Sequence, residues 1–281
     1  MSVAMPRLLA VVEEAAALAK KAFDEGSYAV HEKARGDWAS TADTQVEAFL
    51  KAELSVLAPD ALFLGEETGL SQAVTPASGS KPDPGLTWVV DPIDGTANFV
   101  RGIPHFCSVV TLVDQQMEPV LGVIVDPCRK ESFWAIKGEG AWLNHGVLSD
   151  SIDRHPLEGL LAVVTPKPTS PMAHALQAWL PNAVQSFGGL RRSGAMALDL
   201  AWLAAGRMDA FVGFNLDPWD VLAGSLLVTE TKGLYSNALL NTSSNGQAEG
   251  HPVRRIAAAG GRQCLEAVLA LDESVGKRVN S

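Results

Sequence analysis

Basic residues are scarce in this chain. It carries 22 Lys and Arg against 32 Asp and Glu, a formal net charge of −10. That argues against a polyanion-binding surface, which needs clustered cations to neutralise phosphates, so no nucleic acid partner is expected. A small phosphorylated substrate stays open, because a bound metal ion can supply the positive charge. Cysteine is scarce too: Cys107, Cys128 and Cys264 lie far apart, with no CxxC pair. Neither a zinc site nor a disulfide framework is expected of them, and free thiols fit a reducing cytoplasm. No run approaches the ~20 uncharged apolar residues of a membrane span. The first residues reach Glu13, Glu14, Lys20 and Lys21 without a long apolar core, so no signal peptide is expected and the protein is assigned to the cytoplasm. Internal repeats and low-complexity tracts are missing as well.

Apolar residues are plentiful. They make up 47% of the 281 residues, enough for one large core or two modest ones. "MPRLLAVVEEAAALAKKAFDEG" has helical spacing through Leu8, Val11, Val12, Ala15, Leu18 and Phe23, with a stop at Gly26. "TADTQVEAFLKAELSVLAP" repeats the pattern through Val46, Phe49, Leu50, Leu54 and Leu57 and ends at Pro59. "ALFLGEE" reads as a short strand and residues 68–85 as a loop rich in Ser, Gly and Pro. Strands follow at 86–91, 106–113, 119–126 and 131–136, then a turn and short strand in "KGEGAWLNHG". Strands in succession without helices imply a mostly antiparallel sheet. Beyond, strands in "LLAVVTP", "VQSFGGL", "AFVGF" and "VRRIAAAG" alternate with helices at 171–180, 194–209, 218–231 and 261–272. The expectation is a single domain, α+β over a subdomain of about residues 1–150 and α/β over 151–281, with the change near 145–158.

The stretch Trp88–Pro104 reads "WVVDPIDGTANFVRGIP". An apolar strand runs into Asp91 and Asp94, with Pro92 between them and Gly95-Thr96 after them. Carboxylates at the edge of a core are costly unless something neutralises them. Mg²⁺ does so with oxygen ligands, and a tight turn through proline lets both aspartates face one point. The N–H groups of Gly95 and Thr96 then offer phosphate the kind of cradle a helix N-terminus provides. A surface turn with Asx capping would explain a lone Asp-Pro or Asp-Gly. Here Glu66 and Glu67 end another strand in "FLGEE", and Asp217 and Asp220 open a helix in "LDPWDVLAG". Asp217 suits an N-cap ahead of Pro218, and Asp220 suits the helix dipole, although any early acid would serve there. Acidic clusters after several apolar segments are the pattern of a multi-metal phosphoryl-transfer site.

With "GEE" at 65–67, "WVVDPIDGTANF" at 88–99 and "PWDVLAGSLLVTETKG" at 218–233, the chain resembles the inositol monophosphatase family of Mg²⁺-dependent, lithium-sensitive phosphatases. "GVIVDP", "GEGAWLN" and "SGAMALDLAWLAAGRMDAF" extend the resemblance over most of the chain. It implies a layered αβαβα sandwich and a homodimer. It also implies hydrolysis of a small phosphate monoester by water activated on two or three Mg²⁺ ions. It assigns Glu66, Asp91 and the carbonyl of Ile93 to one ion, and Asp91, Asp94 and Asp220 to a second. A weaker third ion would sit near Glu66, helped by Glu67 and Asp43. Thr96 would orient the nucleophilic water, with Asp43 as its hydrogen-bond partner. Substrate contacts are implied at Asp94, Gly95, Thr96, Gly194, Ala195, Gly213 and Asp220.

Two positions depart from the family's pattern. Gly213 stands where inositol phosphatases commonly have a glutamate that contacts ring hydroxyls, and Met196 where they commonly have alanine. A lost polar contact to a substrate hydroxyl weakens selection strongly. A changed or broad substrate range is therefore expected unless Asp217 or Asn215 takes over. Arg191 and Arg192 either position the next helix, contact substrate or pair with an acid such as Asp199 or Asp209. Inositol 1-phosphate or a related polyol or sugar phosphate leads as substrate. Fructose-1,6-bisphosphate, histidinol phosphate and 3′-phosphoadenosine nucleotides are the alternatives within the class. The alternative outside it is a regulatory RNA polymerase-associated protein that retains the fold.

Overall fold

A computed structural model of the chain describes residues 5–34, 37–71, 85–164, 172–214, 216–240 and 253–278. The chain begins with α1 (Met5–Glu25), the hairpin strands β1 (Val30–Ala34) and β2 (Asp37–Ser40), and α2 (Thr41–Leu57). Next come β3 (Leu62–Gly65), β4 (Gly69–Ser71), β5 (Leu86–Asp94) and the single-turn α3 (Thr96–Phe99). β6 (Cys107–Asp114), β7 (Pro119–Asp126), β8 (Glu131–Ile136), β9 (Gly140–Leu143) and β10 (Gly146–Val147) follow. These build an eight-stranded sheet in the order β10-β9-β8-β7-β6-β5-β3-β4, in which β3 and β5 are the parallel pair. The second half supplies β11 (Leu160–Val164), α4 (Met172–Ser186), β12 (Gly189–Arg191), α5 (Met196–Ala204) and β13 (Ala210–Phe214). It ends with α6 (Pro218–Glu230), β14 (Leu234–Leu240), β15 (Val253–Ala259) and α7 (Arg262–Arg278). Its five-stranded sheet runs β12-β11-β13-β15-β14, parallel from β12 to β13 and antiparallel beyond.

The layers follow from which faces are apolar. α1 and α2 set Leu8, Val12, Val46, Leu50 and Leu54 into one core with Phe63, Trp88 and Val110 of the large sheet. Val109, Ile124 and Phe133 of the same sheet point the other way and meet Leu198, Ala201, Ala223 and Leu227 of α5 and α6. Phe211, Ile256 and Ala258 of the small sheet close the far side of that helix pair. Val212, Ala257 and Ala259 turn outward into a third core with residues of α4 and α7 such as Trp179 and Val268. Side chains that alternate along a strand let each sheet bury both faces. The fold is thus the αβαβα sandwich, with α5 and α6 shared between the two sheets.

That shared layer is packed to backbone contact. Gly224 of α6 lies against Leu200 of α5, and a Cβ at 224 would overlap the Leu200 side chain. A glycine inside a helix costs about 1 kcal/mol relative to alanine, so its place here reflects the close approach. Gly224→Ala is expected to destabilise by about 1–3 kcal/mol through overpacking. Urea unfolding checks this, and a stabilised variant would contradict the packing.

Several boundaries differ from the sequence expectations for local reasons. The helix expected to reach residue 209 stops at Ala204, because Gly206 adopts φ 71. Gly206 N–H then bonds to Leu203 O at 2.9 Å and Arg207 N–H to Trp202 O at 2.8 Å, a glycine C-cap. Of the strand expected in "VQSFGGL", the first three residues end α4 and only Gly189–Arg191 is extended. The buried residues Trp179, Ala183 and Phe187 recur every four positions, a helical stripe that outweighs the β-branched Val184. The β1–β2 hairpin and β14 carry mixed polar sequences and gave no periodic signal. Within the expected 68–85 loop, Gly69–Ser71 forms β4, and residues 72–84 lie outside the described residues.

Candidate metal centre

In a regular strand Asp91 and Asp94, three positions apart, would point to opposite faces. β5 is not regular there. Its pairing with β6 holds to Asp91↔Val109 and resumes at Asp94↔Cys107, so three steps on β5 oppose two on β6. This bulge turns both carboxylates to the same side. Pro92 suits it, having no N–H to lose from the ladder, and its carbonyl accepts the Ser108 hydroxyl at 2.8 Å. Asp220, third residue of α6, comes from the other half of the chain, with one oxygen accepting the Asp217 N–H at 2.9 Å. Asp91, Asp94 and Asp220 are all buried, and each brings a carboxylate oxygen within 4.8 Å of the others. Glu66, just past β3, meets Asp91 closely enough to share a hydrogen bond with it.

The electrostatics of this cluster are unfavourable on their own. Burial, then the charges of Glu66, Asp94 and Asp220, push Asp91 well above the usual carboxylate range. Burial and the nearby Asp94 charge do the same to Asp220. Asp94 is raised to about 6 by burial. Its rise is held back by N–H groups from the first turn of α5, Met196 to Oδ1 at 3.1 Å and Ala197 to Oδ2 at 2.7 Å. The partial positive charge of that helix end therefore lies on Asp94. Hard oxygen donors, close spacing and uncompensated negative charge fit a divalent cation such as Mg²⁺.

Beside the cluster, α3 opens at Gly95, whose φ of 96 only glycine adopts readily. A Cβ there would press on His105 O at 3.0 Å, the Ala195 side chain at 3.2 Å and Gly194 O at 3.3 Å. Gly95, Gly194 and Ala195 are thus in mutual contact. The Thr96 hydroxyl lies 3.2 Å from Asp43 Oδ1 and 2.9 Å from Ile93 O, and it can donate to one at a time. Asp43 is the third residue of α2, and its other oxygen accepts both the N–H and the hydroxyl of Ser40 at 2.8 and 2.6 Å. Burial raises the Asp43 pKa against these bonds.

A sequence model of the inositol monophosphatase family matches residues 4–274. The chain belongs to the inositol monophosphatase family. An inositol-1-monophosphatase of Caulobacter vibrioides is 38% identical over 73% of this chain and 77% of that protein. A protein named Nus factor SuhB in Pseudomonas aeruginosa is 37% identical over 85% of this chain and 84% of its own. Among solved structures, the extragenic suppressor protein suhB of Bartonella henselae superposes with a TM-score of 0.81 at 30% identity, covering 98% of this chain and 99% of that one. The inositol monophosphatase of Thermotoga maritima shares the fold with a TM-score of 0.78 over 98% of each chain.

Within this family member, the position of Gly213 is informative. It is buried in β13, and a Cβ there would overlap the half-buried Leu216 side chain, which occupies that space. Asn215 lies outside the described residues. The arginines at 191 and 192 are exposed and do not take the acids expected of them. Asp209 is held by Arg154 at 2.7 Å, and Asp199 accepts the Ser193 hydroxyl at 2.5 Å. Burial raises the Asp199 pKa to about 7. The Glu67 N–H donates to Glu47 Oε2, on α2, at 2.8 Å. A cavity of about 600 Å³ opens elsewhere, between α1 and the β7–β8 turn, and is lined by none of the cluster residues.

Two supporting residues escaped the sequence reading. Asn98 donates from one amide nitrogen to His105 O at 2.8 Å and to Ser193 O at 2.9 Å, tying the segment after α3 to the turn before α5. Its position in "TANF" gave no hint of a partner nearly a hundred residues away. Glu47 sits one turn after Asp43 on α2, outside the apolar stripe read from that segment, yet it is only 1% exposed. The one available signal was the glycine at 65, directly before two acids.

Proposed function

We propose that this protein hydrolyses a small phosphate monoester, inositol 1-phosphate or a related polyol or sugar phosphate, with Mg²⁺ as cofactor. The observation that carries the reading is the buried Asp91–Asp94–Asp220 cluster with Glu66 against it, within a family member. Glu66, Asp91, Asp94, Asp220 and the Ile93 carbonyl are the residues that would hold the metal. When bound there, divalent cations activate water for in-line attack and stabilise the leaving oxygen. Thr96, held by Asp43 and Ile93 O, presents its hydroxyl oxygen to orient the attacking water. The N–H groups of Gly95 and Thr96 face the phosphate, and Gly194 and Ala195 wall the site from the other half of the chain. The whole chain acts as one unit, because Asp220 comes from residues 151–281 and its partners from 1–150. A homodimer in the cytoplasm completes the reading. No described helix is long and apolar enough to cross a membrane.

The substrate is where this chain departs from the family's habit. With Leu216 filling the space beside Gly213, the wall there is apolar, and discrimination among polyols is expected to be weak. The experiment is phosphate release by the purified protein with and without Mg²⁺. The panel holds inositol 1-phosphate, fructose-1,6-bisphosphate, histidinol phosphate, 3′-phosphoadenosine 5′-phosphate and 2-glycerophosphate. Mg²⁺-dependent release from more than one polyol phosphate is the expected outcome. No release from any member by metal-loaded protein would sink the reading. It would favour a second reading, a regulatory role in association with RNA polymerase, which the relatives named Nus factor SuhB support.

A further inference from the structure

Glu47 is a buried carboxylate that the proposed chemistry does not use. It projects from the middle of α2 toward the end of β3, where the chain turns from Gly65 to Thr68. Its Oε2 accepts the Glu67 N–H at 2.8 Å and its Oε1 the Thr68 N–H at 2.9 Å. The preceding N–H, that of Glu66, bonds to Val90 O at 3.1 Å on β5. Three consecutive N–H groups of the turn are therefore fixed, one by the neighbouring strand and two by a single side chain. Gly65 completes the arrangement, since a Cβ there would collide with the Glu47 carboxylate. The α2 helix can approach the turn this closely only because residue 65 has no side chain. A carboxylate out of water is expensive unless its oxygens are hydrogen-bonded, and here each has one partner from the same turn. The turn carries Glu66 against Asp91, so its position sets whether Glu66 joins the cluster.

We propose that Glu47 is a positioning residue for the metal centre, a clamp from α2 on the 65–68 turn that holds Glu66 in reach of the ion shared with Asp91. This rests on the reading of the cluster as a divalent metal site. A residue that orients a ligand from behind typically affects metal affinity by about 10- to 100-fold when removed. Glu47→Gln is isosteric and keeps an acceptor for one N–H but turns a donor toward the other. It also removes a charge, which would weaken cation binding by itself. Gly65→Ala separates the two effects, because it displaces the Glu47 carboxylate without changing any charge.

The test is Mn²⁺ binding to the full-length protein by electron paramagnetic resonance titration. The Mg²⁺ concentration for half-maximal phosphate release and the melting temperature are measured alongside. Both variants are expected to bind Mn²⁺ about tenfold or more weakly. Their turnover at saturating Mg²⁺ should return to within about threefold of the native value. Native Mn²⁺ affinity in both folded variants, with only a lower melting temperature, would make Glu47 structural and overturn the inference alone. Weaker binding in Glu47→Gln with native binding in Gly65→Ala would assign the effect to charge and also overturn it. Absence of Mn²⁺ binding by the native protein would instead sink the metal-site reading, and the inference with it.

Discussion

Asp94→Asn is expected to lower turnover of a phosphate monoester by about a thousandfold while the fold stays in place. A ligand that supports several kcal/mol of transition-state charge stabilisation is worth about a decade of rate per 1.4 kcal/mol. Asparagine matches the shape, and its Oδ1 can still accept one of the two N–H groups from Met196 and Ala197. Its NH₂ faces the other donor, a loss of about 1–3 kcal/mol. Removal of one charge from a buried cluster of like charges works in the opposite direction. The metal-free variant should therefore melt within several degrees of the native protein and give the same circular dichroism spectrum. Phosphate release at saturating Mg²⁺ is the deciding assay. Turnover within tenfold of native would rule out Asp94 as a ligand.

A second large effect is expected in stability. The metal-free protein should become less stable as pH rises from about 5 to about 8, and millimolar Mg²⁺ should remove most of that loss. Asp94 and Asp199 have pKa values raised to about 6 and about 7 by burial, and burial also raises Asp91 and Asp220 well above the usual carboxylate range. A carboxyl with a raised folded-state pKa binds protons more tightly in the native than in the unfolded chain. Its contribution to stability is present in acid and is lost as pH passes upward through the folded value. Each decade of altered proton affinity is about 1.4 kcal/mol, so several such groups cost the metal-free protein a few kcal/mol near neutrality. For a chain of this size that corresponds to a melting temperature lower by on the order of 10 °C. Thermal melts across pH, with chelator and with Mg²⁺, check it. A metal-free curve flat between pH 5 and 8, or one that Mg²⁺ leaves unchanged, would contradict the cluster's assigned electrostatics.

Much of the fold was legible because its signals are local. The helical stripe of α1 and the apolar run entering Asp91 are periodic over a few residues, and the Asp217-Pro218 start of α6 is a spacing. The site was legible in composition but not in geometry. Asp91 and Asp94 could be read as ligands, yet only the register slip against β6 explains why they face one way, and a slip belongs to a pair of strands. The end of α5 depended on a glycine in left-handed conformation, and α4 on burial at Trp179, Ala183 and Phe187, which are visible only once α4 and α7 pack. Glu47 and Asn98 were invisible for a related reason. Their partners are backbone groups of distant segments, and backbone groups leave no trace in composition.

The helices α5 and α6 lie between the two sheets, and they bring the last carboxylate to the cluster. Asp220 is made more than a hundred residues after Asp94, and the N–H groups that hold Asp94 belong to residues 196 and 197. A chain still emerging from the ribosome with only the large sheet complete has Glu66, Asp91 and Asp94 but neither Asp220 nor the helix end that steadies them. Such an unfinished chain has no preformed cage with which to capture a cation. The cluster is therefore complete only in a chain that has extended past α6, and any cation placed among these carboxylates would be held by both halves of the molecule at once.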